Sequence, residues 1–422
     1  MAGNYRPVSL TYHICKIMER IIKNKLEIYL EKWGLLGESQ HGFRNKKSCL
    51  TNLLEFKEST ASMLDVGTPV DVIFLDFQKA FDKVPHGRLL AKLRDHGIDG
   101  KVLEWIKQWL RGRRQWVVVN GKHSRWKEVM SGVPQGSVLG PILFTIFVDD
   151  LEENVKSKMI KFADDAKLWG KVGKPEDINV IQQDLTTLFQ WSVDWQMLFN
   201  VEKCKVMHIG SNNLKVDYVL DGIKLGVIEE EKDLGVFLCS DFKVGKQCRM
   251  AASKGNQILG MIRRNFTNRS KRIMSILYKS LVRPHLEYCI QAWKPHLIKD
   301  ITLLERVQRR ATKMVSECRG KDYEKRLKIM RLTKLDTRMI RADMIEVYKI
   351  LNGLERVREE LFFIRERREG TGHKNKLFKK RVQRDVGKFC FSNRINNLWN
   401  GLPEDVVMAK DVNGFKAGLN FT

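Results

Sequence analysis

Val70-Asp71-Val72-Ile73-Phe74-Leu75-Asp76 and Met159-Ile160-Lys161-Phe162-Ala163-Asp164-Asp165 are the two stretches on which the fold turns. Each begins as a short apolar run, rich in β-branched or aromatic residues, and predicts a buried strand with acidic residues at its C-terminal end. Ala166-Lys167-Leu168-Trp169 reads as the return strand, so Asp164 and Asp165 are expected at a hairpin tip. Between the two stretches, Gln135-Gly136-Ser137 forms a turn that opens a helix through Ile142-Leu143-Phe144. Three carboxylates converging in space repel one another, and a fold retains them most readily around cations. Magnesium suits them, because it is a hard ion that takes oxygen ligands. Two such ions about 3.5 to 4 Å apart serve in-line displacement at phosphorus.

A second acidic pair competes for that assignment. Phe147-Val148-Asp149-Asp150-Leu151 also places Asp-Asp after apolar residues, but it follows Gly136 too closely to leave room for a separate strand beyond the helix, which rises about 1.5 Å per residue. Asp149 and Asp150 therefore read as a polar helix end.

The whole chain narrows the partners. Its 422 residues, 43% hydrophobic, suffice for two or three domains with their own cores. Lys and Arg number 76 against 50 Asp and Glu, a formal +26 with a pI near 9.7. Such a surplus points to a polyanion, most commonly nucleic acid, with an acidic membrane surface as the rival. No apolar stretch reaches the roughly 20 residues of a membrane span, and Met1 to Leu10 lacks the regions of a signal peptide. A soluble, intracellular protein is expected, with nucleus and cytoplasm both open. The eight cysteines contain no Cys-x-x-Cys pair, which supports neither zinc nor a disulfide framework, and His285 with Cys289 lacks a second pair.

The chain changes character along its length. Residues 1–65 read as helical, with Ile14, Ile17, Met18, Ile21, Ile22 and Leu26 forming an apolar face. Residues 66–240 alternate strands and helices, and basic helices dominate from about 241 onward. In one of these, residues 303, 304, 307, 311, 314 and 315 make an apolar stripe, with Arg306, Arg309, Arg310 and Lys313 turned away to meet a duplex backbone or solvent. Arg365 to Lys388 is charge-dense and reads as a linker or a nucleic-acid arm.

Three motifs carry a family resemblance by their order and spacing: Asp76-Phe77-Gln78-Lys79-Ala80-Phe81-Asp82, Gly132-Val133-Pro134-Gln135-Gly136-Ser137-Val138-Leu139-Gly140-Pro141, and Phe162-Ala163-Asp164-Asp165. Together they resemble the reverse transcriptases of non-LTR (LINE-type) retrotransposons. Asn4-Tyr5-Arg6-Pro7-Val8-Ser9-Leu10 and Gln40-His41-Gly42-Phe43-Arg44 look like the family's fingers motifs. Asn200-Val201-Glu202-Lys203-Cys204-Lys205 and Leu234-Gly235-Val236 resemble its later palm motifs, with Cys204 where Thr is more usual. Leu281-Val282-Arg283-Pro284-His285-Leu286-Glu287-Tyr288 is similar to the segment that follows.

The resemblance implies an α+β right-hand polymerase with fingers, a palm of antiparallel sheet plus helices, a helical thumb and a basic helical C-terminal region. In chain order, residues 1–65 would be the N-terminal part of the fingers, 66–240 the palm and the remaining fingers with the catalytic site, 241–320 the thumb-like helical region and 321–422 the basic helical C-terminal region. Asp76 and Asp164 would hold two Mg2+ ions, or Mn2+, with Asp165 a weaker ligand. Phe81 would close the floor beneath the sugar and select deoxynucleotides, since a ring there clashes with a 2′-hydroxyl. Gln135 and Gly136 would meet template and nascent pair, where glycine permits close approach and a helix N-terminus favours phosphate. Arg44 would bind the triphosphate bidentately. Lys203, or its neighbour Lys205, would stabilise or protonate the departing pyrophosphate.

The implied activity is RNA-directed DNA polymerisation, extending a DNA primer on an RNA template from deoxynucleoside triphosphates. The alternative is a catalytically inactive, retroelement-derived nucleic-acid-binding protein, because the chain starts just before the first fingers motif, without the endonuclease such elements often carry, and ends without a Cys/His cluster. An RNA-dependent RNA polymerase is a third possibility, against which Phe81 argues.

Overall fold

The computed structural model describes residues 8–366 and 372–419. Asn4 to Pro7 of the first fingers-like motif, and residues 367–371 of the charge-dense stretch, lie outside the described residues. Two compact units form: one from Met1–Ser48, Val70–His208 and Asn213–Ile228, the other from Cys49–Pro69, Ile209–Asn212 and Glu229–Thr422.

The first unit is mixed α+β, built on a five-stranded sheet. Its strands are β1 (Val70–Leu75), β2 (Lys158–Phe162), β3 (Asp165–Lys171), β4 (Lys205–Ile209) and β5 (Gly226–Val227), in the order β5-β4-β1-β3-β2. Both β1 and β2 run antiparallel to β3, whereas β5 runs parallel to β4, so the sheet expected to be antiparallel carries one parallel edge. The central strand β1 is buried at every residue but Phe74, which is half-buried, as its continuous apolar run requires. Helix Gly140–Phe147 is buried at seven of its eight residues, and a helix apolar all round belongs in a core. It begins three residues after Ser137, and Asp149–Glu152 continues from it as a 3-10 turn. There Asp149 accepts from the Gly37 amide (2.8 Å), and Asp150 pairs with Lys92 and accepts from Trp191 Nε1 (3.0 Å). The competing acidic pair is structural.

Helix His13–Lys32 departs from expectation. Ile14, Ile17, Met18 and Ile21, expected on the inner face, are exposed, while Glu19 is fully buried. Glu19 faces inward because its Oε2 accepts from the amides of Val138 (2.6 Å) and Leu139 (3.2 Å), and its Oε1 from Trp109 Nε1 (3.2 Å).

The second unit is mainly helical, with its core around Tyr278, Trp293, Tyr348, Trp399 and Phe415. Helix Cys49–Asp65, grouped by sequence with the first 65 residues, is bound into this unit: Asp65 accepts from the amides of Gln383 and Arg384, and Glu58 from the Ser392 hydroxyl. Helix Ile298–Lys313 buries Leu304, Val307 and Ala311 and exposes Arg306, Arg309, Arg310 and Lys313, as its stripe predicts. A π-helical turn, Tyr278–Val282, precedes Pro284, a residue that cannot donate to the preceding turn. The charge-dense stretch is no linker over its described residues. His373 and Leu377 are buried, the Leu377 amide donates to Asn400 Oδ1 (2.8 Å), and Arg365 pairs with Glu359. All eight cysteines are free, and no described helix is long and apolar enough to cross a membrane.

Candidate active site

The ladder between β1 and β3 sets the site. Leu75 pairs with Ala166, so Asp76 and Asp165 occupy the next pair of positions at the same end of the sheet. Neighbouring strands there lie about 4.8 Å apart. Phe162 pairs with Asp165, leaving Ala163 and Asp164 as a two-residue hairpin turn with Ala163 at φ +56°. Asp164 is half-buried and Asp165 exposed, so the tip that the sequence places here presents its carboxylates to solvent.

A second segment closes on Asp76. The Asn200 amide donates to the Asp76 carbonyl (2.7 Å), the Gln78 amide to the Leu198 carbonyl (2.9 Å), and Phe77 stacks on Phe199 with centroids 4.6 Å apart. The turn that follows delivers Lys203, whose Nζ stands 3.7 Å from Asp76 Oδ1 with both side chains substantially exposed (63% and 41%). Lys205 instead begins β4. Cys204 is buried beneath, its Sγ accepting from the Asp76 amide at 3.5 Å, and burial pushes its thiol up to about 11, so it remains a neutral packing group.

Phe81 is half-buried on helix Ala80–Lys83. It stacks on Phe144 (4.5 Å between centroids) and meets Phe43 edge-on (6.4 Å). Gln135 joins the same helix, Nε2 donating to Asp82 Oδ1 (3.1 Å), while its carbonyl accepts from the Ser9 amide (2.8 Å). Gly136 adopts φ +93°, a conformation L side chains rarely take, and an added Cβ would lie 3.1 Å from the Ser9 carbonyl oxygen. Just ahead of the following helix, the amides of Val138 and Leu139 bind the Glu19 carboxylate. Arg44 is placed differently from the rest. Its buried guanidinium donates to Glu31 Oε1 (3.1 Å) and to the Gly37 carbonyl (2.9 Å), where it lines a groove of about 1070 Å³ with Lys23 and Lys32.

Two supporting groups escaped the sequence reading. Gln40 is fully buried, and its Oε1 accepts from the amides of Ala163 (2.9 Å) and Gly42 (2.8 Å), clamping the hairpin turn. Gly42 is obligatory beside it, since a Cβ would fall 2.3 Å from the Ala163 nitrogen. Behind the site, the Asp71 carboxylate accepts from His208 Nδ1 (2.7 Å), Asn213 Nδ2 (2.7 Å) and Tyr218 OH (2.8 Å). Asp71 was legible only as a lone acid in an apolar run; its partners lie at least 137 positions away in sequence.

The three expected carboxylates lie at one end of the sheet, on and beside the β2–β3 turn and just past β1. Among the described residues, no group of three His, Cys, Asp or Glu side chains could hold a metal ion. Uncompensated carboxylates repel, and Asp76 instead reaches the Lys203 ammonium. The donor set still fits a hard divalent cation in kind and position: oxygen ligands on adjoining ladder positions, solvent-accessible, with Asp164 next in sequence.

A family model described as Reverse transcriptase (RNA-dependent DNA polymerase) matches residues 1–262. The chain is 27% identical over 337 residues to the probable RNA-directed DNA polymerase from transposon BS of Drosophila melanogaster, covering 75% of this chain and 36% of that protein. It is 28% identical over 352 residues to the RNA-directed DNA polymerase from mobile element jockey of Drosophila funebris, covering 78% and 38%. A probable RNA-directed DNA polymerase from the X-element of Drosophila melanogaster is 26% identical over 326 residues. The chain thus spans little more than a third of the length of these relatives. By the family match over residues 1–262 and the transposon-encoded relatives, the chain belongs to the reverse transcriptase (RNA-dependent DNA polymerase) family, in its non-LTR retrotransposon branch.

Proposed function

We propose that this chain extends a DNA primer along an RNA template, with the first unit supplying palm and fingers surfaces and the helices from about 241 onward a thumb and a basic C-terminal region. The observation that carries the reading is the ladder placing Asp76 beside Asp165, with the Lys203 ammonium 3.7 Å from Asp76. Asp76, Asp164 and Asp165 are the residues that would hold two Mg2+ ions. Bound there, the ions would lower the pKa of the attacking 3′-hydroxyl and neutralise charge on the phosphates.

The remaining steps belong to side chains. Gln40 fixes the hairpin turn, so Asp164 and Asp165 are held in position before any ligand arrives. Lys203, with its Nζ 3.7 Å from Asp76 Oδ1, is the side chain placed to meet the pyrophosphate oxygens, where it stabilises growing negative charge or donates a proton. Phe81, wedged between Phe43 and Phe144, makes a stiff floor against which a 2′-hydroxyl clashes. Gln135, oriented by Asp82, borders the same floor and serves the template side.

Primer extension on an RNA template, run with Mg2+ or Mn2+ and either deoxy- or ribonucleotides, tests this reading. Extension with deoxynucleotides alone is expected. A chain that binds RNA but extends nothing under either metal contradicts it.

A further inference from the structure

Residues 114–128 form an arm whose side chains are all exposed. Arg114–Gln115 pairs with Lys127–Glu128, and Val118–Val119 with Lys122–His123, around an Asn120-Gly121 turn with both residues at positive φ. Asn-Gly in this conformation is the tightest common hairpin connection. Between the two ladders, Trp116 and Val117 oppose three residues, Ser124 to Trp126; the extra residue twists the strand and re-aims its side chains. Trp116 is thereby stacked between His123 (4.2 Å, 14°) and Trp126 (4.9 Å, 16°), a column of three nearly parallel rings, with the two tryptophans 44% and 59% exposed.

A two-stranded hairpin open on both faces is at best marginally stable in water, and this one holds a costly set of exposed rings. Its charge indicates the occupant: residues 111–128 contain six Lys or Arg and one acid, Glu128. Basic residues interleaved with stacked aromatics match an unpaired nucleic-acid strand, whose bases continue a ring column while its phosphates meet the cations. A duplex buries its base faces against one another and offers the column only its ends. The root of the arm joins the candidate active site: Arg113 donates to the Gly132 carbonyl (3.4 Å), and the Ser131 hydroxyl to the Asp82 carbonyl (2.9 Å), beside Gln135.

We propose that the 114–128 arm is a stacking platform for an unpaired stretch of the RNA template, held by Trp116 and Trp126. The inference rests on the polymerase reading for the identity of the strand but is tested without catalysis. Binding of the full chain to a fluorescein-labelled oligo-U is measured by anisotropy, with neither metal nor nucleotides present, beside an RNA duplex, a DNA oligonucleotide and vesicles containing phosphatidylserine. Replacing both tryptophans by Ala is expected to weaken oligo-U binding by about tenfold to a hundredfold, as loss of a stacking platform does. Phe at both positions should restore most of it, and duplex binding should be unchanged.

Unaltered oligo-U affinity in the Ala variant overturns the proposal, as does an equal loss on the duplex or an arm-dependent affinity for vesicles but not RNA. Tighter arm-dependent binding of DNA than RNA also overturns it, assigning the platform to primer or target strand. A chain that extends primers while the Ala variant binds normally defeats only the arm. One that binds through the arm but never extends leaves the platform standing and defeats only the polymerase.

Discussion

Lys203 and Lys205 differ by two positions and carry the same charge, yet the turn at 200–204 separates their surroundings. Only Lys203 reaches Asp76. Lys203→Ala is expected to slow single-turnover extension by about a hundredfold, the low end for losing a proton donor, with little effect on primer-template affinity. Lys205→Ala should leave the rate within a few-fold of wild type, and the reverse ranking would contradict the assignment. The sequence favoured Lys203 only weakly, because two lysines separated by one residue beside an Asn-Val-Glu turn have little to rank them. The positions of Asp76 and Asp164 were legible, since each follows an apolar run that forms a strand. Arg44 shows the limit of charge as a signal: a guanidinium suited to phosphate donates instead to Glu31 and a backbone carbonyl.

At the scale of elements, β1 holds one acid inside and is followed directly by another. Asp76 leaves the sheet edge, whereas Asp71 stays inside, its side chain 1% exposed, and ties β1 to β4 through His208 and to the following loop through Asn213 and Tyr218. Asp71→Ala strips the acceptor from three donors at once. It is expected to destabilise the chain by about 3 kcal/mol, from the cost of unsatisfied buried donors; a urea-melt difference below about 0.5 kcal/mol would remove the network from the account. The strands and helix Gly140–Phe147 were readable because apolar period and length select them almost alone. Helix His13–Lys32 was misread in its facing, because the groups that Glu19 satisfies, the Val138 and Leu139 amides just before helix Gly140–Phe147, are distant in sequence. The arm was missed although Val119-Asn120-Gly121-Lys122 contains a hairpin signal, since its strands lack the buried alternation that marks a sheet.

The whole molecule combines a strongly basic surface with titratable groups buried deep enough to register in its stability. In the second unit, Glu346 Oε1 is buried without a hydrogen-bond partner, and burial pushes its carboxyl up to about 7 against the opposing pull of Lys349. A folded pKa above the unfolded value of 4.5 means that the unfolded chain releases this proton first, so its contribution to stability falls between pH 4.5 and about 7. Glu346→Gln removes that loss: the stability difference from wild type should grow from near zero at pH 4.5 to about 3 kcal/mol at pH 8. A difference independent of pH would contradict the burial argument. The catalytic claim rests on fewer atoms. Its most direct test is single-turnover extension of a DNA primer on an RNA template by Asp164→Asn, with RNA affinity measured in parallel. Loss of extension with salt-sensitive binding retained is the predicted result, and an undiminished extension rate would contradict the assignment of Asp76, Asp164 and Asp165 as the metal-holding edge.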